Sequence, residues 1–232
     1  MKAGGSVRVR VYYGYWIIAA AFVTQFVAVG LQNYVAGPFL VPMSEVFRSS
    51  RDLFSSSHSI GQMMVALTGF AIGAAIDRFG GRPFIAAGSL VLAASVFSLG
   101  SVQTLGQWVL INGFTLTAGA AMIGNLVVNV TLGKWFVEKR GRAVALAAMG
   151  VSLSGMLLPP FATWLIDTVG WRQAWQLLGI AVLFLTLPAA AVVRRAPEDF
   201  ALHPDGKTAL QVAQGQAQRA QADFDHSMTR GQ

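Results

Sequence analysis

From Phe84 to Gly133 the chain carries no Asp, Glu, Lys or Arg. Soluble domains are about one-quarter charged, so a charge-free run of this length has no place in one. It has room for two membrane-spanning helices of about 20 residues each and the turn between them. Lipid offers the backbone no hydrogen-bond partners, so long apolar runs close their own bonds as helices. The alternating short strands of a membrane barrel are not visible. Along the whole chain the same reasoning predicts six spans, near 15–40, 58–77, 83–101, 107–131, 142–166 and 173–193. The expected fold is all-α: a six-helix bundle over 15–195, with 1–14 before it and a polar tail or linker over 196–232.

The net charge of +7 does not point to nucleic acid, because the bases sit in short loops beside apolar runs. One side of the predicted membrane holds Lys2, Arg8, Arg10, Arg78, Arg82, Lys134, Lys139, Arg140, Arg142, Arg194 and Arg195. The other holds Arg48, Arg51 and Arg172. The richer side is expected to be cytosolic, with both termini on it, and the membrane to be a bacterial inner membrane. The basic N-terminus imitates a signal peptide, but the apolar run behind it is long and contains Gln25, so it reads as an uncleaved first span. Aromatic residues cluster at predicted ends: Tyr12, Tyr13, Tyr15, Trp16, Trp108, Trp135, Trp164, Trp171 and Trp175. Such rings favour the headgroup layer. Gly37, Pro38 and Pro42 are expected to loosen the outer end of span 1, and Pro159-Pro160 to kink span 5. Serines 55–57 offer an N-cap for span 2.

An internal repeat supports the count. Ile76-Asp77-x-x-Gly80-x-Arg82 recurs as Ile166-Asp167-x-x-Gly170-x-Arg172, ninety residues later. The first copy joins spans 2 and 3 and the second joins spans 5 and 6. Three crossings separate them, so the copies face opposite sides. That arrangement is two inverted three-helix repeats.

The stretch Gly73-Ala-Ala-Ile-Asp77-Arg78-Phe79-Gly80-Gly81-Arg82, between two apolar runs, resembles the loop between helices 2 and 3 of major facilitator superfamily transporters. Tyr13-Gly14-Tyr15-Trp16 and Trp135-Phe-Val-Glu-Lys-Arg-Gly141-Arg-Ala143 are similar to segments of the monocarboxylate and oxalate/formate branch. Arg194-Arg195-Ala-Pro197 with Pro204-Asp205-Gly206 resembles the start of that branch's central linker. The resemblance covers nearly the whole chain, but only the N-terminal half of a usual family member. It implies secondary transport of a small solute, an organic anion such as a monocarboxylate, by alternating access. It implies a gating motif of Gly73, Asp77, Arg78, Gly80 and Arg82, with Asp77 against the partner half. The expected partners are a lipid bilayer, a small-molecule substrate and a second six-helix half, either a separate chain or a second copy. No nucleic acid is expected. The alternative is a truncated or accessory membrane subunit without transport of its own.

No enzyme is expected. Ser152 in Gly150-Val-Ser152 lacks a base within a later span, since the histidines are His58, His203 and His226. It reads as a small packing residue, and His58 as an exposed residue at a helix start. The absence of Cys and the scattered His argue against a metal site, and no cofactor is expected. The informative residues are uncharged polar ones at membrane depth: Gln25, Gln32 and Asn33 in span 1, and Asn112, Thr115, Thr117, Asn125 and Asn129 in span 4. Gln25 and Gln32 share a helix face, as do Asn125 and Asn129. Such side chains turn inward, either to line a wet cavity or to bond a neighbouring helix. The candidate cavity set is Gln25, Gln32, Asn125 and Asn129, with Gln25 nearest mid-depth.

Overall fold

The computed structural model describes residues 12–47, 51–194 and 205; the side chains at 51–57, Ala74 and Asp77 lie outside that description. Helices run over α1 Gly14–Val29, α2 Ala36–Phe47, α3 Arg51–Phe79, α4 Gly81–Leu99, α5 Leu105–Leu110, α6 Thr117–Ile123, α7 Asn125–Trp135, α8 Arg140–Val169 and α9 Trp171–Val192. A wide π-helical turn, Gly30–Tyr34, joins α1 to α2, and another, Ile111–Leu116, joins α5 to α6. Span 1 is therefore α1 to α2, span 2 α3, span 3 α4, span 4 α5 to α7, span 5 α8 and span 6 α9. Among the described residues, five of these stretches are long and apolar enough to cross a bilayer. Span 2 is the sixth: between Ser59 and Ile76 it contains no charged residue. The described residues form an all-α bundle with no strand, and the protein is an integral membrane protein.

The repeat seen in the sequence returns as geometry. Gly80 has φ 81° and ψ 171°, and Gly170 has φ 80° and ψ 156°. The Gly80 amide donates to the Ile76 carbonyl at 2.8 Å, and the Gly170 amide donates to the Ile166 carbonyl, also at 2.8 Å. Each glycine ends one span and starts the next with no intervening loop. Positive φ is costly for any residue with a Cβ, so glycine is required at both turns. The two turns lie on opposite faces of the bundle, called here the Gly80 face and the Gly170 face.

Packing follows the same two-fold plan. Spans 3 and 6 form one extensive pair, and spans 1 and 4 meet between them. Span 2 packs on span 4, and span 5 packs on span 1. Small residues set these distances. A Cβ on Gly150 of span 5 would collide with the Phe22 carbonyl of span 1. One on Gly61 of span 2 would stand 2.8 Å from the Thr117 hydroxyl of span 4. One on Gly179 of span 6 would stand 2.7 Å from the Phe97 nitrogen of span 3. Lipid tails are as apolar as a leucine core, so this close backbone contact, rather than exclusion of water, holds the helices together.

Several sequence-level expectations are revised. Span 1 does not loosen at its prolines: α2 continues through Pro42 to Phe47, and the departure from α-geometry lies earlier, at Gly30–Tyr34. Span 2 begins at Arg51, so Ser55, Ser56 and Ser57 sit inside the helix rather than capping it. Span 5 remains one helix from Arg140 to Val169 with Pro159 and Pro160 inside it, which leaves the expected kink there neither borne out nor overturned. The aromatic residues differ in burial, with Tyr12, Tyr13 and Trp171 half-buried. Tyr15, Trp16 and Trp164 are exposed, as residues of a headgroup layer should be, whereas Trp108, Trp135 and Trp175 are fully buried. Trp175 stacks on Phe39 with centroids 4.0 Å apart and meets Trp108 at 5.8 Å. These rings plug the Gly170 end of the bundle instead of facing lipid.

Candidate functional site

Span 4 is interrupted at mid-length. α6 stops at Ile123, Gly124 takes φ −88° and ψ −152°, and α7 starts at Asn125. A Cβ on Gly124 would stand 2.8 Å from the Ala120 carbonyl. The extended backbone there breaks the helical ladder, so α7 presents a new helix N-terminus inside the bundle. The first amides of a helix have no partner within it and carry the positive end of its dipole. The Gly124 carbonyl accepts from Val128 at 3.1 Å, which closes the first turn of α7.

A small cavity of about 90 Å³ opens beside this break. Span 1 contributes Ala28, Val29 and Gln32, span 2 Val65 and Gly69, and span 4 Ala120, Ala121, Gly124, Asn125 and Leu126. Three spans thus converge where one of them is broken. Non-helical backbone at membrane depth is tolerated where it is buried in protein or lines a cavity.

Two of the four candidate residues, Gln32 and Asn125, line this cavity. Gln25 stands behind it, only 2% exposed, and donates through Nε2 to Asn125 Oδ1 at 2.6 Å. That bond ties span 1 to the first residue of the half-helix. The Gln25 Oε1 and Asn129 Oδ1 atoms are buried and accept no hydrogen bond among the described residues. Asn33 is exposed and donates to the Val29 carbonyl at 3.3 Å. The π-turn in span 4 has its own polar side chain: Thr117 donates to the Asn112 carbonyl, five residues back, at 2.9 Å. Sequence reasoning missed the Gly124 break, because a lone glycine in an apolar run looks like any packing glycine.

The expected gating turn is placed as follows. Gly80 makes the turn described above. Gly73 lies half-buried in α3, and a Cβ there would meet nothing within 4 Å among the described residues, so none of the described helices requires it to be small. Arg78 and Arg82 are exposed, and the Arg78 guanidinium lies 5.4 Å from the Phe79 ring centroid. Asp77 is in α3, and its side chain lies outside the described residues. His58 is exposed, 3.4 Å from Gln62. No group of three or more His, Cys, Asp or Glu able to hold a metal occurs among the described residues.

The family model described as Major Facilitator Superfamily matches residues 21–221. Monocarboxylate transporter 11 of Mus musculus is 31% identical over 184 residues, 78% of this chain and 40% of the relative. Monocarboxylate transporter 6 of Homo sapiens is 28% identical, covering 71% of this chain and 32% of the relative. The MFS-type transporter YcxA of Bacillus subtilis (strain 168) is 27% identical, covering 65% of this chain and 37% of the relative. The chain thus spans about two-fifths or less of the length of these relatives. Six spans in two inverted triplets, glycine turns at equivalent places and a family match over most of the sequence agree: the chain belongs to the Major Facilitator Superfamily.

Proposed function

We propose that this chain is one six-helix half of a secondary transporter that moves a small solute, an organic anion such as a monocarboxylate, by alternating access. The observation that carries this reading is the interrupted span 4. Broken helices in transporters present their N-terminal amides to anionic substrate groups near the membrane midplane. Here the break opens on a cavity that also holds Gln32 and Asn125. In this reading Gln32 and Asn125 face the transport pathway, Gln25 holds Asn125 in place, and Asn129 lies one turn deeper on the same helix.

The surface of one bundle forms only one wall of a pathway, so a second six-helix half completes it. No Lys or Arg occurs between Phe84 and Gly133. A cation to balance the anion then comes from that second half. The Gly80 face is cytosolic, because it bears Arg78, Arg82, Lys134, Lys139, Arg140 and Arg142, and the membrane is a plasma membrane. The turn of Gly73, Asp77, Arg78, Gly80 and Arg82 gates that face, with Asp77 set against the second half. Rocking of one half against the other breaks and remakes this contact. The chemistry is translocation without a covalent step.

The test uses the natural absence of cysteine. Single cysteines replace Gln32, Asn125 and Leu90, the last being an exposed span 3 residue. A water-soluble thiol reagent is applied to membranes with and without small monocarboxylates. Labelling at 32 and 125 but not at 90, slowed by the solute, supports the reading. No labelling at 32 and 125, or labelling indifferent to every monocarboxylate, overturns it.

A further inference from the structure

The turn between spans 4 and 5 is held from outside itself. Val137 and Glu138 donate their backbone amides to Asp205 Oδ2 at 3.1 and 2.8 Å. Lys139 donates its amide to Asp205 Oδ1 at 3.1 Å. Three successive N–H groups therefore converge on one carboxylate that lies 66 to 68 residues away in the chain. All three belong to the turn that leads into the long α8, where unpaired amides and the helix dipole favour negative charge. Lys139 is the N-cap of α8 and has no side-chain capping bond; the remote carboxylate holds the amides that lead up to the helix rather than those of its first turn. Asp205 itself has φ 61°. That left-handed conformation is tolerated in Asp more readily than in most residues.

A second bond pins the same chain segment nearer its origin. The buried Trp135 indole donates from Nε1 to the Arg194 carbonyl at 3.3 Å. Trp135 is the last residue of α7 and Arg194 follows the end of α9. Both anchors, Arg194 and Asp205, thus rest on the five residues 135–139. Around them Tyr12 donates to the Trp135 carbonyl at 3.1 Å and Tyr13 to the Val192 carbonyl at 2.7 Å. Spans 1, 4, 5 and 6 are tied together at this face through one turn.

We infer that the 136–139 turn is a docking site for the chain segment that follows span 6, with the Asp205 carboxylate as its anchoring group. The turn is a carboxylate receptor made of backbone, so it reads charge and reach rather than side-chain shape. The Trp135 bond brings the segment to the turn, and Asp205 fastens it. While bound, the Asp205 carboxylate stiffens the entry to α8. Released, it leaves three amides open to water.

Hydrogen exchange of the chain in nanodiscs tests this without any transport assay. In the parent, Val137, Glu138 and Lys139 are expected to exchange slowly for turn amides. Asp205→Ala should speed exchange at these three by about tenfold or more, the range implied by the loss of hydrogen bonds to a charged acceptor. Asp205→Asn keeps the shape and one acceptor oxygen without the charge, so protection should fall between the two. Peptides from α4 and α9 serve as folding controls and should not change. Equal exchange at 137–139 in the parent and Asp205→Ala, with the controls unchanged, overturns the docking. If Asp205→Ala opens the controls as well, Asp205→Asn decides: unchanged exchange at 137–139 in that variant overturns the anchoring role of the charge.

Discussion

Gly80 and Gly170 adopt the same positive-φ extended conformation, at φ 81° and 80°, on opposite faces of the bundle. Each closes the helix before it by donating to an isoleucine carbonyl four residues back. Nothing lies within 4 Å of where a Cβ on Gly170 would stand. A substitution there tests backbone conformation without a packing clash. Gly170→Ala and Gly170→Asn are both expected to lower stability by about 1–3 kcal/mol, because ψ 156° places this glycine outside the left-handed helical region that Asn tolerates. Thermal unfolding in detergent, followed by helical circular dichroism, measures both.

Gly150 tests the opposite case, in which the backbone is ordinary and space is absent. A methyl group there meets the Phe22 carbonyl of span 1. Gly150→Ala should cost about 2 kcal/mol, a usual penalty for overpacking. Gly37→Ala is the control: its Cβ meets nothing within 4 Å, and it lies inside α2. That variant should be neutral or gain up to about 1 kcal/mol, since alanine suits a helix better than glycine. Equal destabilisation of the two would contradict the packing account.

The Gln25–Asn125 bond is a single contact between spans 1 and 4 that a double-mutant cycle can isolate. Gln25→Ala, Asn125→Ala and the double variant should show a coupling of about 0.6–1.7 kcal/mol, as hydrogen bonds between membrane helices do. Additive losses in the unfolding free energy would mean that the two amides do not support each other.

Arg172 serves the second repeat as a clamp. Its Nη1 donates to the Val102 carbonyl at 2.9 Å and to the Gly100 carbonyl at 3.5 Å. Its guanidinium lies 4.3 Å from the Trp171 ring centroid. The clamp fastens the start of span 6 to the end of span 3. Arg172→Gln should cost about 1 kcal/mol. Arg172→Lys should rescue little of it, because an ammonium group cannot stack and fork as a guanidinium does. The unfolding midpoints of the two variants decide this.

Much of the architecture was legible in the sequence. Apolar length gave the spans, because lipid forces the backbone into helices whatever the side chains prefer. The matched Ile-Asp-x-x-Gly-x-Arg strings led to the inverted repeat, because both glycines are required by the same φ. The interior was harder to read. Hydropathy does not tell a lipid-facing residue from a packed one, so Trp108, Trp135 and Trp175 looked like headgroup anchors and proved to be core. Gln25 and Asn125 stood out as polar residues in lipid, but their pairing across 100 residues left no local trace. The break at Gly124 was equally silent, since the residues around it suit a continuous helix.

The two matched turns also bear on how the chain enters its membrane. They lie on opposite faces and each carries an arginine, so one of Arg82 and Arg172 is threaded through the bilayer whichever way the protein is inserted. Passage of an arginine costs about 2.5–3.5 kcal/mol at the centre of a translocating helix. Arg172 is the one that meets carbonyl acceptors and an indole face on arrival, while Arg82 stays exposed. With the Gly80 face cytosolic, as proposed above, Arg172 is the translocated charge, and completed folding of spans 3 and 6 opposes its return.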